Sequence, residues 1–245
     1  MTRPARLLSR FRDHWQLVAL TALVFLHWNT YAALPLKILT VFLHELSHAA
    51  AAVATGGTVE EFTIAGDQSG HVLSRGGNPF VIWSAGYLGS LFIGMALFML
   101  AVRTRADRVF MAALGVLLLA VTALYFRTPF PLIFGGIGGV AMLASAAWLG
   151  RAANDLMLRV IGLTSLIYVP YDIWSDTIAR SGLRSDARML AEYYGGATVL
   201  WGGLWLIISL VMIGICLRYG LGPSSSIAFR TSPALPSERS VNTRM

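Results

Sequence analysis

From residue 15 to residue 217 the chain is a relay of apolar runs, most of them long enough to cross a bilayer as a helix, with short connectors between them. About 20 apolar residues on one helix span the roughly 30 Å hydrocarbon core of a membrane. Only helices and closed barrels keep the backbone polar groups satisfied there. The runs fall at about 15–33, 36–55, 80–102, 109–126, 132–149, 156–174 and 197–217. The expected fold class is therefore an all-α polytopic membrane protein with about six to seven transmembrane helices. A composition that is 56% hydrophobic and only 13% charged, with mean hydropathy +0.65, excludes the alternative of one large soluble core.

The second run carries Phe42-Leu43-His44-Glu45-Leu46-Ser47-His48, an HExxH pattern. On a helix, His44 and His48 leave the same face about one turn apart, so their imidazoles can reach one tetrahedral Zn²⁺. Glu45 is placed as a general base that reaches the activated water without ligating the metal. Three ionisable side chains inside an apolar span are costly unless they face a cavity or a metal. That cost separates a metal site from two histidines merely packed in a bundle. One Zn²⁺ per chain is expected.

The +7 net charge invites a nucleic-acid partner, but the arginines sit in short connectors and in both tails. That is the pattern of flanks beside anionic lipid, so the expected partner is the lipid bilayer and no nucleic acid. Residues 1–14 form a basic leader with Arg3, Arg6, Arg10 and Arg12, which favours a cytoplasmic N-terminus. A cleaved signal peptide has the same opening, with Thr30-Tyr31-Ala32 as a cleavage site, but the run is long and Pro35 leads straight into the next one. An uncleaved first membrane helix is the preferred reading. Two crossings would then return Gly56 to the cytoplasmic side, with His48 roughly 10 Å from that end of its helix. Arg103, Arg105 and Arg108 fall on the outer side under this scheme, so topology rests on the leader alone.

Residues 58–64 and 71–74 are β-prone and 65–70 between them are turn-rich, which predicts a short β-hairpin after the HExxH helix. His71 on it is either near the site or a solvated loop histidine. Gly86 and Gly89 in Ser84-Ala85-Gly86-Tyr87-Leu88-Gly89-Ser90 allow close helix approach. Gly135-Gly136-Ile137-Gly138-Gly139 also reads as packing, because no strand and no following Lys-Ser/Thr supports a phosphate loop. The lone Cys216 excludes an intrachain disulfide. Near the end of the sixth run, Asp172 and Asp176 are spaced i, i+4 and could share a helix face. A two-histidine zinc that keeps a water needs one more protein ligand, and either carboxylate suits it. The segment after 219, rich in Ser, Pro and Arg, reads as a disordered tail over 219–245.

Together HELSH within an apolar helix, residues 84–90 and Pro170-Tyr171-Asp172 resemble the site-2 protease family of intramembrane zinc metallopeptidases. Asp172-Ile173-Trp174-Ser175-Asp176, Ser185-Asp186-Ala187 and Trp201-Gly202-Gly203-Leu204-Trp205 are similar to motifs of that family's compact B-type branch. The resemblance covers about residues 36–212, inside a metallopeptidase domain over 15–218. It implies a zinc site completed by an aspartate, for which Asp172 in its Pro-x-Asp setting is favoured. Asp176 is then a neighbouring support or alternate ligand, and Asp186 caps its helix or pairs with an arginine. Ser90 stands where the family has an asparagine. The implied function is an intramembrane endopeptidase acting on membrane-anchored protein substrates, some of them regulatory, in a bacterial plasma membrane. The competing reading is an inactive membrane protein that keeps the metal site for structure, metal handling or partner binding.

Overall fold

The structure is a computed structural model and describes residues 14–221. The expected leader and most of the expected disordered tail lie outside the described residues. Eight α-helices and one hairpin follow in order. They are α1 (Trp15–Leu26), α2 (Leu34–Ala54), β1 (Thr58–Ile64), β2 (Gly70–Arg75), α3 (Pro79–Arg103), α4 (Asp107–Tyr125), α5 (Pro129–Trp148), α6 (Arg151–Ile173), α7 (Asp186–Tyr194) and α8 (Thr198–Ile215). A π-helical turn, Trp174–Ala179, prolongs α6, and another, Cys216–Gly220, prolongs α8. Six of these helices, all but α1 and α7, are long and apolar enough to cross a membrane. The first run does not form the continuous helix expected of residues 15–33. It stops at Leu26 after 12 residues, and turns through His27 to Ala33 precede α2. At about 1.5 Å per residue α1 reaches roughly 18 Å, too little to cross alone.

Local sequence explains where the central elements begin. Pro35 opens α2 and Pro79 opens α3, positions where a missing N–H costs nothing. Asn78 caps α3, its side chain accepting from the amides of Phe80 and Val81. Gly56 sits at φ +86 just past α2, where a side chain would be strained. Across the expected hairpin Phe62 pairs with Val72 and Ile64 with Gly70, with a bulge between Val59 and Glu61. Phe62 and Ile64 point inward, and Phe62 packs on Phe42 of α2 and Phe126 at the end of α4.

The catalytic-motif helix is the most enclosed. Phe42 and Leu43 are fully buried, and α2 lies against α3, α6 and the hairpin. Small residues set those distances. A Cβ on Gly94 would strike Ser165, and one on Gly162 would stand 2.6 Å from the Cβ of Phe98. Thr40 of α2 lies 3.4 Å from Ser165 of α6, and further along both helices His44 and Asp176 meet Tyr87 of α3. So α2 and α6 run parallel, with α3 antiparallel to both. The glycine run 135–139 is a packing surface as expected: a Cβ on Gly139 would meet Leu119 at 2.5 Å and one on Gly135 would overlap Thr122.

Candidate metal centre

His44 and His48 leave α2 toward α3, where Gly86 offers no side chain. A Cβ on Gly86 would sit 2.5 Å from the Nε2 atoms of both histidines. Nδ1 of His48 lies 2.7 Å from the carbonyl of Ile82. A carbonyl only accepts, so Nδ1 carries the proton and donates, and Nε2 of the neutral ring keeps its lone pair. His44 is held edge-on by the ring of Tyr87, with centroids 4.6 Å apart.

The third donor arrives from α7. After the π-helical turn the chain doubles back, and Ser185 caps α7 by accepting from the amide of Arg188. Asp186, in the first turn, then projects over α2. Its Oδ2 lies 3.1 Å from Nε2 of His44 and 3.2 Å from Nε2 of His48, and the two Nε2 atoms are 3.0 Å apart. Burial opposes charge on Asp186, but the facing histidines hold its carboxyl well below the usual carboxylate range. The helix N-terminus favours the same anionic form.

These three atoms fit a metal ion. Donors bound at about 2.0–2.1 Å in a tetrahedron stand about 3.3 Å apart, close to the triangle observed. The lone pair of His48 faces a carboxylate oxygen, an arrangement that a cation between them makes favourable. Among the described residues, His44, His48 and Asp186 are the group whose ligand atoms converge in this way.

Asp172, expected as the third ligand, is not one of the converging donors. It lies half-buried on α6, beside Asp176 and within electrostatic reach of His44 and Asp186. Asp176 accepts from the hydroxyl of Tyr87 at 3.3 Å and from Arg180. Asp186, expected to cap a helix or meet an arginine, instead faces the histidines, and Ser185 does the capping. The reason is a chain reversal: α6 runs parallel to α2 and keeps its carboxylates beside the site, whereas the return into α7 brings a carboxylate over it.

Glu45 is buried beside the histidines, and the hairpin closes on it. A Cβ on Gly70 would sit 2.8 Å from Cγ and Oε1 of Glu45, so glycine lets the start of β2 lie directly against the carboxylate. His71, the next residue, is exposed and pairs with Glu61 at 3.2 Å. Gly70 and Tyr87 at the site were not singled out as functional by sequence reasoning. For Asp186 a signal existed, the Ser-Asp-Ala motif following a polar connector.

A family profile described as Peptidase M50B-like matches residues 17–216. No curated protein and no solved structure matches the chain.

Proposed function

The chain belongs to the Peptidase M50B-like family, and on that premise we propose that it is an intramembrane zinc endopeptidase cutting membrane-anchored protein substrates. The observation that carries the reading is the triangle of His44, His48 and Asp186 donors, 3.0–3.2 Å on each side, with Glu45 buried next to it. His44, His48 and Asp186 would hold one Zn²⁺ per chain and leave a position open, as catalytic zinc sites do. Bound there, zinc supplies Lewis-acid polarisation of the scissile carbonyl and lowers the pKa of a water.

The protein's own groups do the rest. Glu45 accepts a proton from the attacking water at a carboxylate oxygen and returns it to the leaving amine nitrogen. Water adds across the C–N bond to give one carboxyl and one amine product. Gly86 leaves room for substrate backbone over the histidines. The hairpin keeps lipid off Glu45, and its edge can take up an extended substrate segment by strand addition. A substrate helix must unwind locally to be cut, because its amides are bonded internally. The protein is placed in a bacterial plasma membrane with its N-terminus cytoplasmic, from the basic leader.

The test compares membrane proteomes of cells carrying the wild type and Glu45→Gln. Substrates should accumulate uncut in the variant and appear as two fragments in the wild type. Identical profiles, with zinc bound to both proteins, would favour a non-enzymatic metal site instead.

A further inference from the structure

Peptide hydrolysis places negative charge on the carbonyl oxygen, and a donor aimed at that charge is a large contributor to rate. Ser47, Ser90 and Tyr87 carry hydroxyls beside or one turn from His48 and Gly86. Ser47 donates to the carbonyl of Leu43 at 2.7 Å, and Ser90 to those of Gly86 at 2.7 Å and Tyr87 at 3.1 Å. Both are spent on their own helices, as short hydroxyl side chains often are. Tyr87 is different. Its ring stands edge-on to His44, and its hydroxyl lies within electrostatic reach of Asp186 as well as Asp172 and Asp176.

The hydroxyl is held, but loosely. Its bond to Asp176 is 3.3 Å, beyond the usual range for O–H···O, and Asp176 keeps Arg180 as a partner if the hydroxyl turns away. The ring itself is fixed. Tyr87 is 3% exposed, and Trp205 of α8 packs on it with centroids 5.5 Å apart. Gly202, one turn earlier on α8, lets that helix press against Thr177 of the π-helical turn, which keeps Asp176 in place. Tyr87 directly follows Gly86, the residue whose missing side chain opens the space over both Nε2 atoms.

We propose that Tyr87 is a further catalytic residue, whose hydroxyl donates a hydrogen bond to the scissile carbonyl oxygen as charge develops there; this rests on the peptidase reading above. Asp176 and Arg180 are positioning residues that aim the hydroxyl between turnovers. No proton leaves Tyr87, so it needs no partner base.

The experiment uses the full chain, zinc-loaded in lipid nanodiscs, as wild type, Tyr87→Phe and Asp176→Asn. Zinc content is measured by elemental analysis, and binding of a phosphinic peptide, a tetrahedral oxyanion mimic, by calorimetry. kcat and KM are measured on a transmembrane reporter peptide. Tyr87→Phe should keep its zinc and its KM while kcat and phosphinic-peptide affinity both fall about 100-fold. Asp176→Asn should lose less than about 10-fold in each. Unchanged kcat and phosphinic-peptide affinity in Tyr87→Phe would overturn the proposal. Loss of zinc would do so too, by making Tyr87 a support for His44. A wild type that binds the phosphinic peptide through Tyr87 yet cuts no peptide would overturn the peptidase reading and leave the donor role standing.

Discussion

At the scale of single residues, one missing methyl group keeps the site open. The space over the histidines exists because residue 86 has no Cβ, and alanine there would bring a carbon to 2.5 Å from the Nε2 atoms of both. Neither imidazole can step back, since His48 is tied to the carbonyl of Ile82 and His44 lies against Tyr87. Gly86→Ala is therefore expected to lose most of its bound zinc while its helical circular dichroism stays unchanged. Gly136→Ala, whose Cβ would meet nothing within 4 Å, is the control and should bind as the wild type does. The same reasoning ranks the carboxylates by elemental analysis. Asp186→Asn should empty the site as His44→Ala and His48→Ala do, because it removes a charged donor from the triangle. Asp172→Asn should retain zinc, with affinity or turnover lowered about 10- to 100-fold, the usual effect of a group beside a ligand, and Asp176→Asn should retain it with a smaller loss of turnover. Zinc lost from Asp172→Asn but kept by Asp186→Asn would return the third ligand to α6.

At the scale of elements, α6 carries an internal proline, a π-helical extension and a buried ion pair. Pro170 lies inside it, removing one backbone donor, and the helix widens into a π-helical turn just beyond, at Trp174–Ala179. Two turns from its start, Arg159 and Asp155 form a buried bidentate pair at 2.6 and 3.0 Å. Removing one partner leaves a buried charge alone, so Arg159→Leu should cost about 3–5 kcal/mol, read as a fall in thermal midpoint. Replacing both with apolar residues should restore most of it, since a well-packed apolar pair often equals a buried ion pair. How much of this was legible in the sequence differs by element. The HExxH histidines, the hairpin and the apolar helices declare themselves through fixed spacing and hydropathy, which depend only on neighbours in the chain. The third donor does not. Pro170 and Asp172 display their Pro-x-Asp setting locally, whereas Asp186 comes to face the histidines only after the chain has reversed through the π-helical turn and Ser185 has started α7. The brevity of α1 was partly legible: residues 27–33 read His-Trp-Asn-Thr-Tyr-Ala-Ala, polar through most of their length, and the backbone turns there.

At the scale of the molecule, that short helix decides which face of the membrane the metal site addresses. If residues 15–33 crossed, the leader and the hairpin would share a side, and Arg103, Arg105, Arg108 and Arg151 would lie opposite the leader. The structure favours another path. Trp28, after α1, packs on Tyr168 and Tyr171, whereas Thr40, already well into α2, lies level with Ser165. Because α2 and α6 are parallel, α2 begins nearer the start of α6 than the point α1 has reached. The chain thus turns back between Trp28 and the start of α2. Six helices long and apolar enough to cross follow among the described residues. If those six helices alternate across a membrane, Arg103, Arg105, Arg108, Arg151 and Arg218 fall on one face and Arg75, Arg127, Arg180, Arg184 and Arg188 on the other. The two sets are equal in number, so we expect the face of Arg103 to be the cytoplasmic one only on the condition that the basic residues 1–14 lie there, as the positive-inside rule favours. On that condition the hairpin, Glu45 and the metal triangle would open toward the opposite face, against the cytoplasmic one expected from two crossings before Gly56. Cysteine labelling in a Cys216→Ser background tests this with Asp67→Cys on the hairpin turn and Gly150→Cys between α5 and α6, both exposed. A membrane-impermeant maleimide added to intact cells should label position 67 and reach position 150 only after permeabilisation. Labelling of both positions from one side would refute the six-crossing path. The reverse pattern would keep that path but turn the molecule over, placing the metal site on the cytoplasmic face against the charge rule.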